Sequence, residues 1–158
     1  MCDEVVWRPH GITNVVLCPT SGKQPHIDAM PFRVEIDQQD QIISFSLSGT
    51  LRTTDMLDAL DKGFLAATPG LRYAFLSDHQ ALEEPATSAQ VTMALQKISE
   101  RRGVYERSRW AIVVSSPASY GMMRLLQVHA EKIGLEVEIF RELVAAHHWV
   151  RHPGRLSP

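Results

Sequence analysis

Cysteine is scarce in this sequence, which contains only Cys2 and Cys18. Two cysteines do not make a disulfide framework, so the fold must depend on an apolar core. Long hydrophobic runs are missing as well, because no segment approaches the roughly 20 apolar residues that a membrane-spanning helix requires. The first residues show neither the basic start nor the apolar stretch of a signal peptide. These absences predict a cytoplasmic protein without a membrane span.

A strong charge of one sign is also absent. The chain has 16 Lys and Arg against 18 Asp and Glu, a formal net charge of −2. Nucleic-acid-binding domains carry a basic patch, and the one basic cluster here, from Arg101 to Arg109, is interrupted by Glu106. We therefore expect no nucleic-acid partner. At 158 residues the chain is long enough for one domain with a core that needs no metal or disulfide.

The amino-terminal segment differs from the remainder in having no sustained hydrophobic period. We expect residues 1–30 to form a poorly ordered extension, 31–151 the folded domain and 152–158 a tail. Four residues of the extension are zinc-ligand types, but they are spaced by eight residues: Cys2, His10, Cys18 and His26. Structural zinc sites usually bring paired ligands about two to four residues apart. The sequence therefore predicts no metal and no cofactor.

Strand and helix patterns alternate along the domain. Phe32–Asp37 and Ile43–Ser48 each alternate apolar with polar residues, which predicts two antiparallel strands, each with one buried face. From Ile42 onward the alternation implies right-handed βαβ crossovers and a mostly parallel sheet. We predict an α/β fold with about five strands and four main helices, its first strand antiparallel. Glu136 and Glu138 share one face of the last strand, which is typical of a sheet edge.

Several helix starts and one buried helix face can be predicted from local signals. Thr53–Asp55 supplies N-cap candidates for the first helix, and Thr87 with Gln90 forms a capping-box pair for the second. Ser116 is an N-cap candidate, with a proline next in the chain where its missing N–H is not needed. The inner face of the helix that follows is predicted to contain Met122, Leu126, Ala130 and Ile133.

The carboxyl-terminal part of the chain resembles a known family. The run from Phe140 to Val150, Phe-Arg-Glu-Leu-Val-Ala-Ala-His-His-Trp-Val, is similar to the closing motif of the SpoIIAA-like (STAS-like) proteins. Ala111–Val114, Tyr120–Arg124 and Ile42–Leu51 resemble that group's penultimate strand, penultimate helix and opening strand. The resemblance implies a βα superhelical domain.

The same resemblance implies either regulation or ligand binding. Some SpoIIAA-like proteins are bacterial regulators that bind a kinase partner, others bind lipid or nucleotide, and many have no assigned role. Those that antagonise anti-sigma factors place a phosphorylatable serine in an Asp-Ser-Ser-Gly-like turn after a central strand. The corresponding segment here, 77–85, reads Ser-Asp-His-Gln-Ala-Leu-Glu-Glu-Pro. This departure argues against a phosphoserine switch.

The first candidate site is Ser77, Asp78 and His79, at the end of a short buried strand predicted at Tyr73–Ser77. Ligands of open parallel sheets favour the carboxyl ends of strands. The three residue types are those of a hydrolase triad, but consecutive residues cannot form one, and no G-x-S-x-G motif exists in the chain. Asp78 and His79 are predicted to lie in a turn, and we predict no enzymatic activity.

The second candidate site is the loop before the third predicted helix. Ser116, Ser119 and Tyr120 lie there, with Arg124 one turn further on, and the helix start could hold a small anion. The interpretation that the pattern favours is different: Ser116 caps the helix, Tyr120 packs, and Arg124 is solvated.

The sequence thus predicts a non-enzymatic regulatory or protein-interaction domain with a protein partner. The alternative is a carrier or sensor of a small lipid-like or anionic ligand. An uncovered sheet edge tends to pair with another strand, which makes a homodimer a further expectation.

Overall fold

The computed structural model describes residues 30–105 and 108–152. The strands are β1 (Phe32–Asp37), β2 (Ile42–Gly49), β3 (Ala74–Leu82), β4 (Arg109–Val113) and β5 (Glu136–Phe140). The helices are α1 (Thr53–Ala66), α2 (Ser88–Ser99), α3 (Arg102–Tyr105), α4 (Pro117–Glu131) and α5 (Leu143–Arg151). Almost all of the predicted extension, with its cysteines and histidines, and most of the predicted tail lie outside the described residues. None of the described helices is long and apolar enough to cross a membrane.

The five strands form one sheet in the order β1-β2-β3-β4-β5. β1 pairs with β2 antiparallel, and the other three pairings are parallel. The predicted α/β fold is therefore confirmed, with α1, α2, α4 and α5 as its main helices and α3 as a short addition. β5 lies at an edge of the sheet with Glu136 and Glu138 exposed, as their alternation with apolar residues predicts.

Helices cover the two faces of the sheet unequally. α1, α2 and α4 pack on one face, and α5 packs on the other. The larger core contains three mutually contacting aromatic rings, Phe45, Phe75 and Trp110, whose centroids lie 5.9–6.5 Å apart. The smaller core lies under α5 and is made by Ile42, Leu76, Ala111, Val113, Ala146 and Val150.

Two of the predicted helix starts are confirmed and one is wrong. The Gln90 N–H donates to Thr87 Oγ1 at 3.2 Å, and the Thr87 N–H donates to Gln90 Oε1 at 2.8 Å. Ser116 is the N-cap of α4. The N-cap of α1, however, is Arg52 and not a residue of 53–55. Asp55 is the third residue of that helix, and its carboxylate accepts from the Arg52 N–H and guanidinium. The bond at the start of α1 is therefore accepted by Asp55 in the first turn and not by the side chain of the N-cap residue.

The buried face of α4 is rotated from the predicted one. Met123, Leu126, Gln127 and Ala130 are buried, so the prediction is confirmed for Leu126 and Ala130. Met122 and Ile133 are half-buried and pack against the border of the core. The buried face includes the polar Gln127, whose side-chain amide donates to the Val137 carbonyl of β5 at 2.6 Å.

β3 is longer than predicted. The segment that contains Asp78 and His79 is strand and not a turn, because β3 continues to pair with β2 as far as Gly49 opposite Leu82. The turn prediction at these two residues is wrong. The polar residues after Ser77 are tolerated because this end of the strand is only partly buried or exposed.

Candidate functional site

A bulge in β3 determines which side chains point toward α1 and α2. Ser46 lies opposite Asp78, but Ser48 lies opposite Ala81, so β3 has one extra residue between these pairs. Successive strand residues point to opposite faces, and one extra residue reverses this alternation. Ser77, His79 and Leu82 consequently line the same cavity.

The cavity lies between the sheet and α1, α2 and α4 and has a volume of about 50 Å³. Apart from Ser77 and His79, its lining side chains are apolar or aromatic, and none is charged. The lining residues that are half-buried are Leu51, Met56, His79, Leu82 and Ala86. They belong to the end of β3, the start of α1 and the segments that follow β2 and β3. The cavity therefore approaches the surface at the carboxyl ends of these parallel strands.

Hydrogen bonds hold the two segments beside this opening. Gln90 of α2 donates from Nε2 to the Leu51 carbonyl at 2.9 Å, while its Oε1 accepts from the Thr87 N–H. Thr50 donates to the Glu83 carboxylate at 3.0 Å. The segments after β2 and β3 are thus tied to each other and to the start of α2.

Ser77 is the deeper of the two polar residues in the cavity. Its side chain is 1% exposed, and its Oγ accepts a 2.6 Å hydrogen bond from Trp110 Nε1. A serine hydroxyl has one proton to donate in addition. Within the part of the chain that the structure describes, that proton has no acceptor.

His79 lies nearer the opening and is half-buried. Burial lowers the pKa of its imidazole from 6.5 to about 4, because the charged form is disfavoured away from water. The ring is therefore neutral at neutral pH. Its two nitrogens make no hydrogen bond to any described residue, so a donor and an acceptor are both available to a ligand.

The third residue of the first candidate site does not join the other two. Asp78 points to the opposite face of β3, where its Oδ1 accepts from the Gln80 N–H at 3.0 Å. The alternation of the strand separates it from Ser77 and His79, although the three are consecutive in the chain.

The residues of the second candidate site form the amino-terminal end of α4. Ser116 Oγ accepts from the Ser119 N–H at 3.0 Å, and the two hydroxyls lie 2.8 Å apart. Tyr120 is 37% exposed, and the guanidinium of Arg141 lies 5.0 Å from the centre of its ring. Arg124 is exposed and donates to Gln127 Oε1, so it points along α4 and not toward the loop. The four predicted residues do not converge on one point.

Two residues that contact the candidate sites are not among the predicted site residues. Trp110 contributes the indole N–H at Ser77, and Arg141 donates to the Ser115 carbonyl at 2.9 Å. A buried tryptophan N–H needs an acceptor, which is a signal that could have linked Trp110 to a polar residue on a neighbouring strand. No local signal identifies Arg141, because it follows β5 and reaches Ser115 from the end of the neighbouring strand, 26 residues away in the chain.

Comparison with known proteins supports the fold. No protein-family model matches the sequence, and no curated protein matches it significantly. The structure is similar to that of an uncharacterised DUF3478-family protein with a SpoIIAA-like fold from Shewanella loihica PV-4. The TM-score is 0.52 at 20% sequence identity, and the match covers 75% of this chain and 91% of that chain. This chain therefore has a SpoIIAA-like fold, as its sequence predicts.

Proposed function

We propose that this chain is a non-enzymatic binding domain that holds a small apolar molecule in the cavity between the sheet and α1, α2 and α4. The observation that carries the proposal is an uncharged, mainly apolar cavity below the carboxyl ends of β2 and β3. Ligands of open parallel sheets bind at this end, and ligand pockets are usually apolar with a few polar groups. Of the two functions that the sequence predicts, this cavity favours the carrier or sensor of a small ligand.

The size of the cavity limits the ligand. Its volume is about 50 Å³, whereas one water molecule needs roughly 10–15 Å³ measured in the same way. An apolar cavity of about 150 Å³ remains dry and binds benzene, so a ring enters this smaller cavity only where flexible side chains move aside. Met56 and Met123 line this one, and methionine side chains adapt readily to the shape of a neighbour. A single ring or a short alkyl chain is the expected size of ligand.

The arrangement of the polar residues supports binding without catalysis. General-base catalysis by a histidine commonly depends on a second group that orients the ring and on a nucleophile within hydrogen-bond reach. The His79 ring has neither among the described residues, and the Asp78 carboxylate accepts from the Gln80 N–H on the other face of the strand.

Calorimetric titration with benzene tests the proposal. Ala94 faces the cavity, so Ala94→Val should fill part of it and reduce benzene affinity by about tenfold or more. Ala89→Val is the matched control, because Ala89 is exposed on the same helix, and it should bind benzene as the wild type does. Absence of benzene binding by the wild type, or equal binding by Ala94→Val, would overturn the proposal.

A second candidate is a regulatory domain that binds a protein partner. The observation that favours it is an apolar strip on the outer face of α4, where Leu125 and Val128 are 39% and 49% exposed. Affinity capture with Leu125→Asp/Val128→Asp should then lose a partner that the wild type retains. Thr92→Asp, at an exposed residue of α2, should retain it. A partner that binds all three proteins equally would contradict this second function.

A further inference from the structure

We infer that this chain forms a symmetric homodimer in which the open edge of β1 pairs antiparallel with β1 of a second copy. No residue of β1 lines the proposed ligand cavity, so this surface is separate from it. The sequence of β1 is complementary to itself when a second copy runs in the opposite direction, and this match determines the register of the pairing.

The edge of β1 that faces away from β2 is open. Within the described residues, β1 pairs with β2 alone. The Ser48 N–H donates to the Pro31 carbonyl at 2.9 Å, which makes these two residues a hydrogen-bonded pair of the ladder. Because hydrogen-bonded and non-hydrogen-bonded pairs alternate along antiparallel strands, the N–H and C=O groups of Phe32, Val34 and Ile36 point outward. These are the groups that a further strand can bond.

Two copies of β1 match in the register that places Val34 opposite Val34 of the second copy. Phe32 then lies opposite Ile36, and Arg33 lies opposite Glu35. The outward-pointing residues meet one another in this register, so each of their pairs can exchange two backbone hydrogen bonds. Arg33 and Glu35 fall at the closer, non-hydrogen-bonded positions, where opposite charges stabilise the pairing. By symmetry this charge pair occurs twice in the dimer.

The side chains of β1 also match in polarity across the symmetry axis. Directly opposite residues of an antiparallel pair point to the same face of the sheet. Val34 and Ile36 are half-buried and pack against the border of the larger core, so pairing would cover more of their apolar surface. Arg33 and Glu35 are exposed on the other face. Apolar residues therefore meet apolar residues, and each charge meets its opposite.

Helix α1 leaves room for a second copy. The ring of Phe64 contacts that of Phe75 on β3. Lys62 lies over the ring of Phe32 on β1. α1 therefore spans from β1 to β3, which places its axis one strand spacing or more, about 5 Å, from the symmetry axis. The two copies of α1 would then be about 10 Å apart or more, which is no closer than packed helices lie.

The opposite edge of the sheet does not suit the same kind of pairing. β5 has Glu136 and Glu138 exposed on one face. A symmetric antiparallel pairing centred on Val137 would place Glu136 opposite Glu138, and one centred on either glutamate would place that residue opposite itself. Like charges directly opposite each other are destabilising. The interface is therefore at β1.

Sedimentation equilibrium of the full chain over a dilution series tests the inference. At the highest concentration the wild type should approach twice the 17.7 kDa of one chain. Arg33→Glu and Glu35→Arg each place like charges opposite each other twice, so each should raise the dissociation constant about tenfold or more. The two side chains are 63% and 48% exposed, and an exposed ion pair contributes little to folding. Both variants should therefore fold.

A mixture of the two single variants restores the charge match, because an acidic β1 then faces a basic β1. The equimolar mixture should dimerise more tightly than either variant alone, and Arg33→Glu/Glu35→Arg should dimerise as the wild type does. Lys132→Glu is the matched control, because it makes the same change of net charge as Arg33→Glu at an exposed residue next to α4. Its dissociation constant should stay within about twofold of the wild type.

A single-chain mass for the wild type at every concentration would overturn the inference. A dimer that Arg33→Glu does not weaken would have its interface elsewhere, which would overturn it too. A mixture that associates no more tightly than the single variants would contradict the register, with the same consequence. None of the substituted residues lines the cavity, so these results leave the proposed function to its own titration.

Discussion

Trp110 Nε1 donates a 2.6 Å hydrogen bond to Ser77 Oγ inside the larger core. The two residues lie on the neighbouring strands β3 and β4, and both are buried. The bond satisfies the single polar atom of the tryptophan side chain and joins the aromatic core to the cavity. Ser77 therefore supports the fold as well as the proposed site.

Replacing Ser77 should be costly for stability. Ser77→Ala leaves the Trp110 N–H buried without an acceptor, which should lower the free energy of unfolding by about 1–3 kcal/mol. Urea denaturation would measure the change. Ser46→Ala is the control, because Ser46 is exposed on β2, and it should change stability by no more than about 0.5 kcal/mol. Ser77→Ala should also cost clearly less in a Trp110→Phe background, where no indole N–H remains to be satisfied. An equal cost in both backgrounds would contradict the role of the bond.

The free energy of unfolding should fall as the pH is lowered, because of His79. Its pKa in the folded chain is lowered from 6.5 to about 4 by burial, so the unfolded chain binds more protons between these two pH values. The contribution is fully present above pH 6.5 and is lost as the pH falls toward 4. Since one pKa unit corresponds to about 1.4 kcal/mol, and the ring keeps some contact with solvent, we expect a loss of about 1–2 kcal/mol from pH 7.5 to pH 5.

Denaturation of His79→Leu and His129→Gln at the two pH values checks this prediction. The loss should be reduced in His79→Leu and unchanged in His129→Gln, since His129 is exposed. The pKa of His147 is also lowered, by burial and by the nearby Arg151. His147 therefore lowers the stability of the wild type and of both variants alike as the pH falls, and its contribution cancels in the comparison. Equal pH dependence in wild type and His79→Leu would show that the His79 ring is not buried as described.

Gly63 is required by the close approach of a ring. A β-carbon at this residue of α1 would lie 2.4 Å and 2.6 Å from two ring atoms of Phe45. The ring cannot move away easily, because it packs against Phe75 and Trp110. Gly63→Ala should therefore destabilise the chain by about 1–3 kcal/mol through overpacking, although alanine is the better helix former.

Gly121→Ala is the matched control for Gly63→Ala. Gly121 also lies within a helix, but a β-carbon there would meet nothing within 4 Å. This substitution should raise the free energy of unfolding by up to about 1 kcal/mol. Thermal unfolding of the two variants should thus shift in opposite directions. A shift in the same direction for both would contradict the packing of Phe45 against α1.

The features that were predicted correctly depend on short stretches of chain. The Thr87–Gln90 capping box and the Ser116 cap join residues three apart, so the sequence contains everything that determines them. The order of strands and helices follows in the same way from local hydrophobic periods. The antiparallel β1 could be predicted because only a short polar turn separates it from β2.

The features that were missed depend on contacts between distant segments. β3 extends to Leu82 because β2 supplies hydrogen-bonding partners, and the bulge reverses the alternation after His79. Ser77 and His79 were identified as candidates, but without the sheet they could not be separated from Asp78. The cavity itself is a space left between side chains of six elements, and no local pattern encodes such a space.

Methyl-resolved NMR during titration with benzene tests the central claim most directly. The methyl groups of Leu60, Val91 and Leu126 line the cavity, and their resonances should shift in a saturable way. Those of Val113 and Val150 lie in the smaller core under α5, on the other face of the sheet, and they should stay unchanged. If the first set stays unchanged, or if both sets shift together, the claim that this chain binds a small apolar molecule in the cavity is contradicted.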